Sequence, residues 1–182
     1  MGSYQPDWTG SIINTLSYKG FTLNINIEHR QGGMFYSRTK DLMEFVGTSK
    51  NTLDHNREDY VIPNTVYLGG DGNYHDNTTQ KVHIQDLYTD QQNFGASMLD
   101  ATFTKLRELS LSYQIPAKWL NKTPLGNASV GFSGRNLWMR THKDNIFVDP
   151  ETSSFGTGND QGFEFTTIPS LRSFGFNLNL TF

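Results

Sequence analysis

The chain has 182 residues, a net charge of −3 and 15 basic residues scattered along it, so it carries no electrostatic footprint for nucleic acid. It has no cysteine, which excludes disulfides, thiol catalysis and zinc–thiolate sites. Its mean hydropathy of −0.55 excludes a bundle of spanning helices, each of which needs ~18 apolar residues in a row, but leaves open a membrane β-barrel, whose strands average a lipid face with a wet one.

The first residues show no basic segment followed by an apolar one, so an exported protein is expected to begin upstream of Met1. Ile12 to Tyr18 reads as a strand, and Lys19-Gly20 as a two-residue hairpin connection in which Gly supplies a positive φ. The partner strand, Phe21 to Arg30, places Phe21, Leu23, Ile25 and Ile27 on one face and Thr22, Asn24, Asn26, Glu28 and Arg30 on the other. A tilted spanning strand has this length, ~9–11 residues.

A long polar stretch, Ser37 to Asp100, follows before the next strand, Phe103 to Gln114, which Pro116 stops. A turn region rich in Lys, Asn, Pro and Gly leads to a strand from Ala128 to about Arg140, and a second long stretch runs from Thr141 to Pro169. The last strand alternates without interruption: Phe174, Phe176, Leu178, Leu180 and Phe182 against Ser173, Gly175, Asn177, Asn179 and Thr181. Asn, Ser, Thr and Gly on the polar face, where a soluble sheet usually presents Lys and Glu, suit a wet interior.

The expected fold class is therefore all-β, with antiparallel up-and-down strands of a transmembrane barrel and long extracellular loops. Short and long connections alternate, as periplasmic turns and extracellular loops do in outer-membrane barrels. Counting back from the C-terminus places Lys19-Gly20 and Pro116 to Asn127 on the periplasmic side. Two aromatic girdles follow from this reading, Trp8, Tyr18, Phe21, Tyr113, Trp119 and Phe182 at the periplasmic ends and Phe35, Tyr36 and Trp138 at the outer ends. The competing reading is a soluble β-sandwich carbohydrate-binding module, in which the Phe/Leu stripe packs on a second sheet.

Signals for chemistry are thin. Asp71-Gly72-Asn73 with Asp76 and Asn77 offers oxygen ligands, but the spacing lacks the closing Glu of a calcium loop and suits a turn. The histidines, His29, His55, His75, His83 and His142, show no i, i+4 pair, so no metal site is expected. No Gly-x-Ser-x-Gly elbow appears, and Asp149-Pro150-Glu151 reads as a loop turn, so the chain is not expected to be an enzyme or to hold a cofactor. Loop aromatics that could stack on substrate are Tyr60, Tyr67, Tyr74, Tyr88, Phe94, Phe147, Phe155 and Phe163.

Several stretches together resemble a known family. They are Pro6 to Gly10, Leu16 to Phe21, Arg30-Gln31-Gly32-Gly33, Asp100 to Tyr113, Gly134 to Trp138, Asp149-Pro150-Glu151 and the close from Pro169 to Phe182. In this order and spacing they are similar to the SusC/RagA group of TonB-linked outer-membrane proteins of Bacteroidota. The resemblance implies that residues 1–182 are the C-terminal segment of a TonB-dependent receptor barrel located in the cell outer membrane, with plug and N-terminal strands lying outside it. It further implies a SusD-like surface lipoprotein as partner, the TonB system as energy source and oligosaccharides or peptides as cargo. Phe174, Phe176, Leu178, Leu180 and Phe182 would then be the signal read by the barrel-assembly machinery, and outer-membrane lipid would meet the stripe.

Overall fold

The computed structural model describes residues 2–89, 94–156, 158 and 160–182. Strands β1 (Trp8–Tyr18) and β2 (Phe21–Gln31) form a hairpin in register, Tyr18 opposite Phe21 and Trp8 opposite Gln31. Lys19 and Gly20 both have positive φ, 46° and 88°, so the turn twists with the strands as a type I′ turn does. At its far end β2 meets Gly32 and Gly33, also at positive φ, where the chain leaves the sheet. A Cβ on Gly32 would lie 2.3 Å from an Asp7 carboxylate oxygen, and one on Gly33 2.5 Å from the Tyr4 carbonyl oxygen. Only glycine lets the N-terminal segment pass this close.

Residues between β2 and the third long strand form an outer cap. In order it contains β3 (Met34–Ser37), α1 (Arg38–Phe45), a 3-10 turn (Lys50–Arg57), β4 (Val66–Leu68), β5 (Tyr74–Asp76), α2 (Ile84–Thr89), a second 3-10 turn (Phe94–Ser97) and β6 (Met98–Asp100). Ser37 caps α1, its hydroxyl accepting from the Lys40 amide at 3.1 Å. The chain then returns to the sheet as β7 (Phe103–Gln114), turns through α3 (Ala117–Leu120), and continues as β8 (Asn127–Thr141). A second excursion carries β9 (Phe163–Glu164) into the cap before β10 (Ser173–Thr181) ends the sheet.

The five long strands pair antiparallel in the order β1-β2-β7-β8-β10. Cross-strand partners keep the two faces separate: Leu16, Leu23, Leu111, Phe132 and Phe176 share one, and Ser17, Thr22, Ser112, Gly131 and Asn177 the other. Among the described residues no second sheet covers the apolar face. Ile12 is 70% and Phe176 75% exposed there, which rules out the sandwich reading. Burial is concentrated instead in the cap, where Phe35, Leu99 and Ala101 form the core with Tyr4, Phe147 and Val148 packed on it. Phe35 and Tyr36 are thus core residues of the cap and not girdle residues. Trp8 is corrected as well, since its pairing with Gln31 puts it at the outer end of β1, far from the Lys19-Gly20 turn.

Candidate functional site

On the polar face β7 carries Lys105 and Arg107, and a bulge changes where the second one points. Arg107 has no cross-strand partner in either register; it is the extra residue between Leu106 and Glu108, which pair with Ile27 and Asn26 of β2 and with Trp138 and Arg135 of β8. A bulge re-aims its side chain in this way. Its guanidinium donates to Glu28 at 2.8 Å and to Glu151. Lys105, almost fully buried, donates to both oxygens of Asp149 at 2.7 Å and also to Glu151. Phe103 lies beneath, its ring 5.0 Å from the Lys105 ammonium.

Burial alone would push Asp149 toward its neutral form, but hydrogen bonds from Lys105, Ser170 and the Glu151 amide outweigh it and hold its carboxyl below the usual carboxylate value. Asp149 also accepts from the Glu151 amide at 3.0 Å, so Asp149-Pro150-Glu151 does form the expected turn. Its larger role is to bind the second excursion of the chain to the barrel wall.

Glu164 performs a similar task without a cation. Fully buried, it accepts from the Ser37 and Thr39 hydroxyls, each at 2.7 Å, and from the amides of Thr39 at 3.2 Å and Thr167 at 2.9 Å. Burial opposes its charge, and these donors more than compensate, so its carboxyl too lies below the ordinary value. Pinned at Glu164, the segment clusters Phe163 and Phe165 with Tyr36, at ring distances of 6.3 and 5.8 Å from it and 6.4 Å from each other. They form part of a cleft of about 580 Å³ that Tyr4, Met34 and Met98 also line, with Arg38 and Gln161 as its polar side chains. Tyr4 is fixed there by Arg30, whose guanidinium sits 4.5 Å over its ring and donates to its carbonyl oxygen. Such a lining takes flat or apolar groups by stacking and dispersion.

No family model matches the chain. Two curated proteins of Formosa agariphila align with all of it: TonB-dependent receptor P3, 26% identical over 188 residues, and TonB-dependent receptor P26, 27% identical over 189 residues. The chain spans 17% and 18% of their respective lengths. Among solved structures, the RagAB peptide importer superposes on 99% of the chain in its open-open state (TM-score 0.63, 19% identity) and in its closed-closed state (TM-score 0.65, 18% identity). The chain covers 18% of that protein in both.

The chain resembles TonB-dependent receptors of the SusC/RagA type throughout. Its five-stranded sheet is a piece of such a barrel, and its place is the outer membrane. These relatives are receptors and importers, which agrees with the non-enzymatic reading.

In the structure the expected loop aromatics scatter. Phe163 lines the cleft and Phe155 packs edge-on against Phe165 at 5.3 Å. Phe147 is half-buried on the cap core, under the Lys40 ammonium at 5.9 Å. Tyr60 stacks on His55 at 3.9 Å, and Tyr67 lines a separate hollow of about 270 Å³ with Ile62 and Leu87. Tyr74 is exposed on β5, and the half-buried Tyr88 phenol on α2 is pushed up to about 12, chiefly by burial. Phe94 opens the second 3-10 turn, and its side chain lies outside the described residues. Asp71 works as a turn residue, accepting from the Asn73 amide at 3.1 Å. The sequence reading missed Tyr4, Tyr36 and Phe165 as cleft residues; Phe163-Glu164-Phe165, two aromatics flanking a buried acid, was the available signal.

Proposed function

We propose that this chain supplies the last strands and part of the outer cap of a TonB-dependent importer. The importer takes up oligosaccharides or peptides with a SusD-like lipoprotein and draws its energy from the TonB system. The observation that carries this reading is the division of the sheet. One face is a bare apolar stripe fit for acyl chains, and the other holds the Lys105, Arg107, Asp149 and Glu151 network that ties the cap to a wet interior. Phe163 and Phe165, with Phe155 behind them, would meet the cargo from the cap. Apart from Arg38 and Gln161 the cleft side chains are aromatic or thioether, a composition that suits the side chains of a peptide better than a hydroxyl-dense sugar. The solved neighbour's description as a peptide importer points the same way.

The terminal stripe, Phe174, Phe176, Leu178, Leu180 and Phe182, is proposed to be what the barrel-assembly machinery reads. Among the described residues β10 pairs only with β8, which leaves its other edge open for a partner strand. Uptake assays on cells producing the receptor with its lipoprotein, offered candidate peptides and glycans in parallel, test the function. Peptide accumulation that disappears in the double variant Phe163→Ala/Phe165→Ala is expected. Accumulation of neither class would refute the import reading.

A further inference from the structure

The apolar stripe does not run unbroken to the outer rim. Ile12, Ile27, Leu106 and Trp138 form one of its rows, joined by the registers of β1, β2, β7 and β8. The next row outward on the same face is polar: His29 stands opposite Thr104, and Thr104 opposite Arg140. The His29 and Thr104 side chains are hydrogen-bonded at 2.8 Å, and the Trp8 ring lies 4.9 Å from the imidazole. Beyond Arg140 the chain adds His142 and Lys143, and these groups border a hollow of about 380 Å³.

Among the described residues the Arg140 and Lys143 side chains make no hydrogen bond or ion pair, and both are exposed. Asp144 lies 3.4 Å from His142 and forms no ion pair with either of them. Two uncommitted cations thus border one hollow at the level where the acyl-chain stripe ends, with Arg140 on the face that turns away from the lumen. A soluble anion could use the charges but would leave the adjoining apolar row bare. An amphiphile uses both, its anionic head on the cations and its chains on Ile27, Leu106 and Trp138.

We propose that Arg140 and Lys143, with His29, His142 and Thr104 around them, bind the phosphorylated headgroup of an outer-leaflet lipid. The proposal rests on the reading of the stripe as lipid-facing, and it adds a specific anionic lipid to an otherwise nonspecific annulus. Each basic group near a membrane surface is worth ~1 kcal/mol toward an anionic lipid, so removing both lowers retention roughly tenfold or more.

The test places the assembled receptor in phosphatidylcholine nanodiscs that contain diphosphoryl lipid A and counts the lipid A retained by native mass spectrometry. Brominated acyl chains, which quench nearby tryptophan, report contact with the stripe separately. Wild-type receptor and Arg140→Lys should retain lipid A, and Arg140→Gln/Lys143→Gln should lose it. Lys122→Gln, in the opposite turn, should change nothing, and heat-dependent gel mobility confirms that each variant has assembled. Equal retention in wild type and the double variant overturns the site while leaving the barrel reading intact, provided quenching persists. Displacement by inorganic phosphate alone also overturns it, by showing a simple anion site. Absence of quenching overturns both the site and the barrel reading.

Discussion

Lys105 and Asp149 are a buried ion pair, and the energetics of such pairs are lopsided. Forming one from water gains little, whereas removing one partner strands the other charge at a cost of about 3–5 kcal/mol. Lys105→Ala should therefore loosen the segment from Thr141 to Arg172 by that order. Hydrogen exchange of its amides in the assembled receptor would show this as lost protection, while Lys105→Ala/Asp149→Ala should recover much of it. The links from Arg107 to Glu28 and Glu151 are more exposed, and Arg107→Ala should cost less, about 1 kcal/mol. Acid should act through Asp149 and Glu164. Both carboxyls are more acidic folded than unfolded, so their stabilisation is complete at neutral pH and is lost as pH falls below the usual carboxylate range through their lowered folded values. Protection of the cap amides should hold from pH 7 to pH 5 and fail only well below, and Glu164→Gln should flatten that acid limb. Little of this was legible beforehand. Asp149 was correctly read as a turn former, but its partner Lys105 lies 44 positions away in sequence, and only the folded sheet brings the two together.

Strands were far easier to read, because alternation is a local signal and the barrel imposes it on every wall segment. Phe103–Gln114 was delimited correctly from the sequence, and β2 and β8 differ from expectation by a residue at their ends. β1 starts four residues earlier than expected, at Trp8, because Thr9, Gly10 and Ser11 pair with β2 although their side chains show no clean alternation. The Lys19-Gly20 turn was legible because so few two-residue connections fit. The bulge at Arg107 was not read, its one trace being the break in alternation between Leu106 and Leu109, which share a face although three residues apart. Nor was the cap: its small strands and short helices are held by Phe35, Leu99 and Glu164, which lie far apart in sequence. The expected girdle failed at Phe35 and Tyr36 for the same reason, as the backbone had already left the sheet at Gly32-Gly33. The two faces of β10 should respond unequally to charge. Phe176→Arg, on the lipid face, should cost about 2–4 kcal/mol near mid-membrane and lower the assembled receptor in outer-membrane fractions, whereas Asn177→Arg should be tolerated.

At the scale of the whole molecule, a sheet of five strands has two open edges and an uncovered apolar face, and closure of a small membrane barrel takes about eight strands. The 182-residue chain made alone should self-associate in plain buffer through its edges and stripe, and remain dispersed only with detergent. Sedimentation velocity distinguishes these states. The cap has its own core and should retain structure in either condition, whereas the sheet depends on lipid and on neighbouring strands. The account therefore stands on the stripe meeting acyl chains while the opposite face meets water. These 182 residues have no cysteine, so single cysteines placed along β10 and β2 of the membrane-embedded receptor, in an otherwise cysteine-free background, test this most directly. At Asn177, Asn179 and Asn24 they should react with a membrane-impermeant maleimide in permeabilised cells; at Phe176, Leu178 and Ile25 they should resist it, and spin labels there should be relaxed by lipid-soluble oxygen. Equal reactivity on both faces, or stripe positions shielded from oxygen and maleimide alike, would contradict the account.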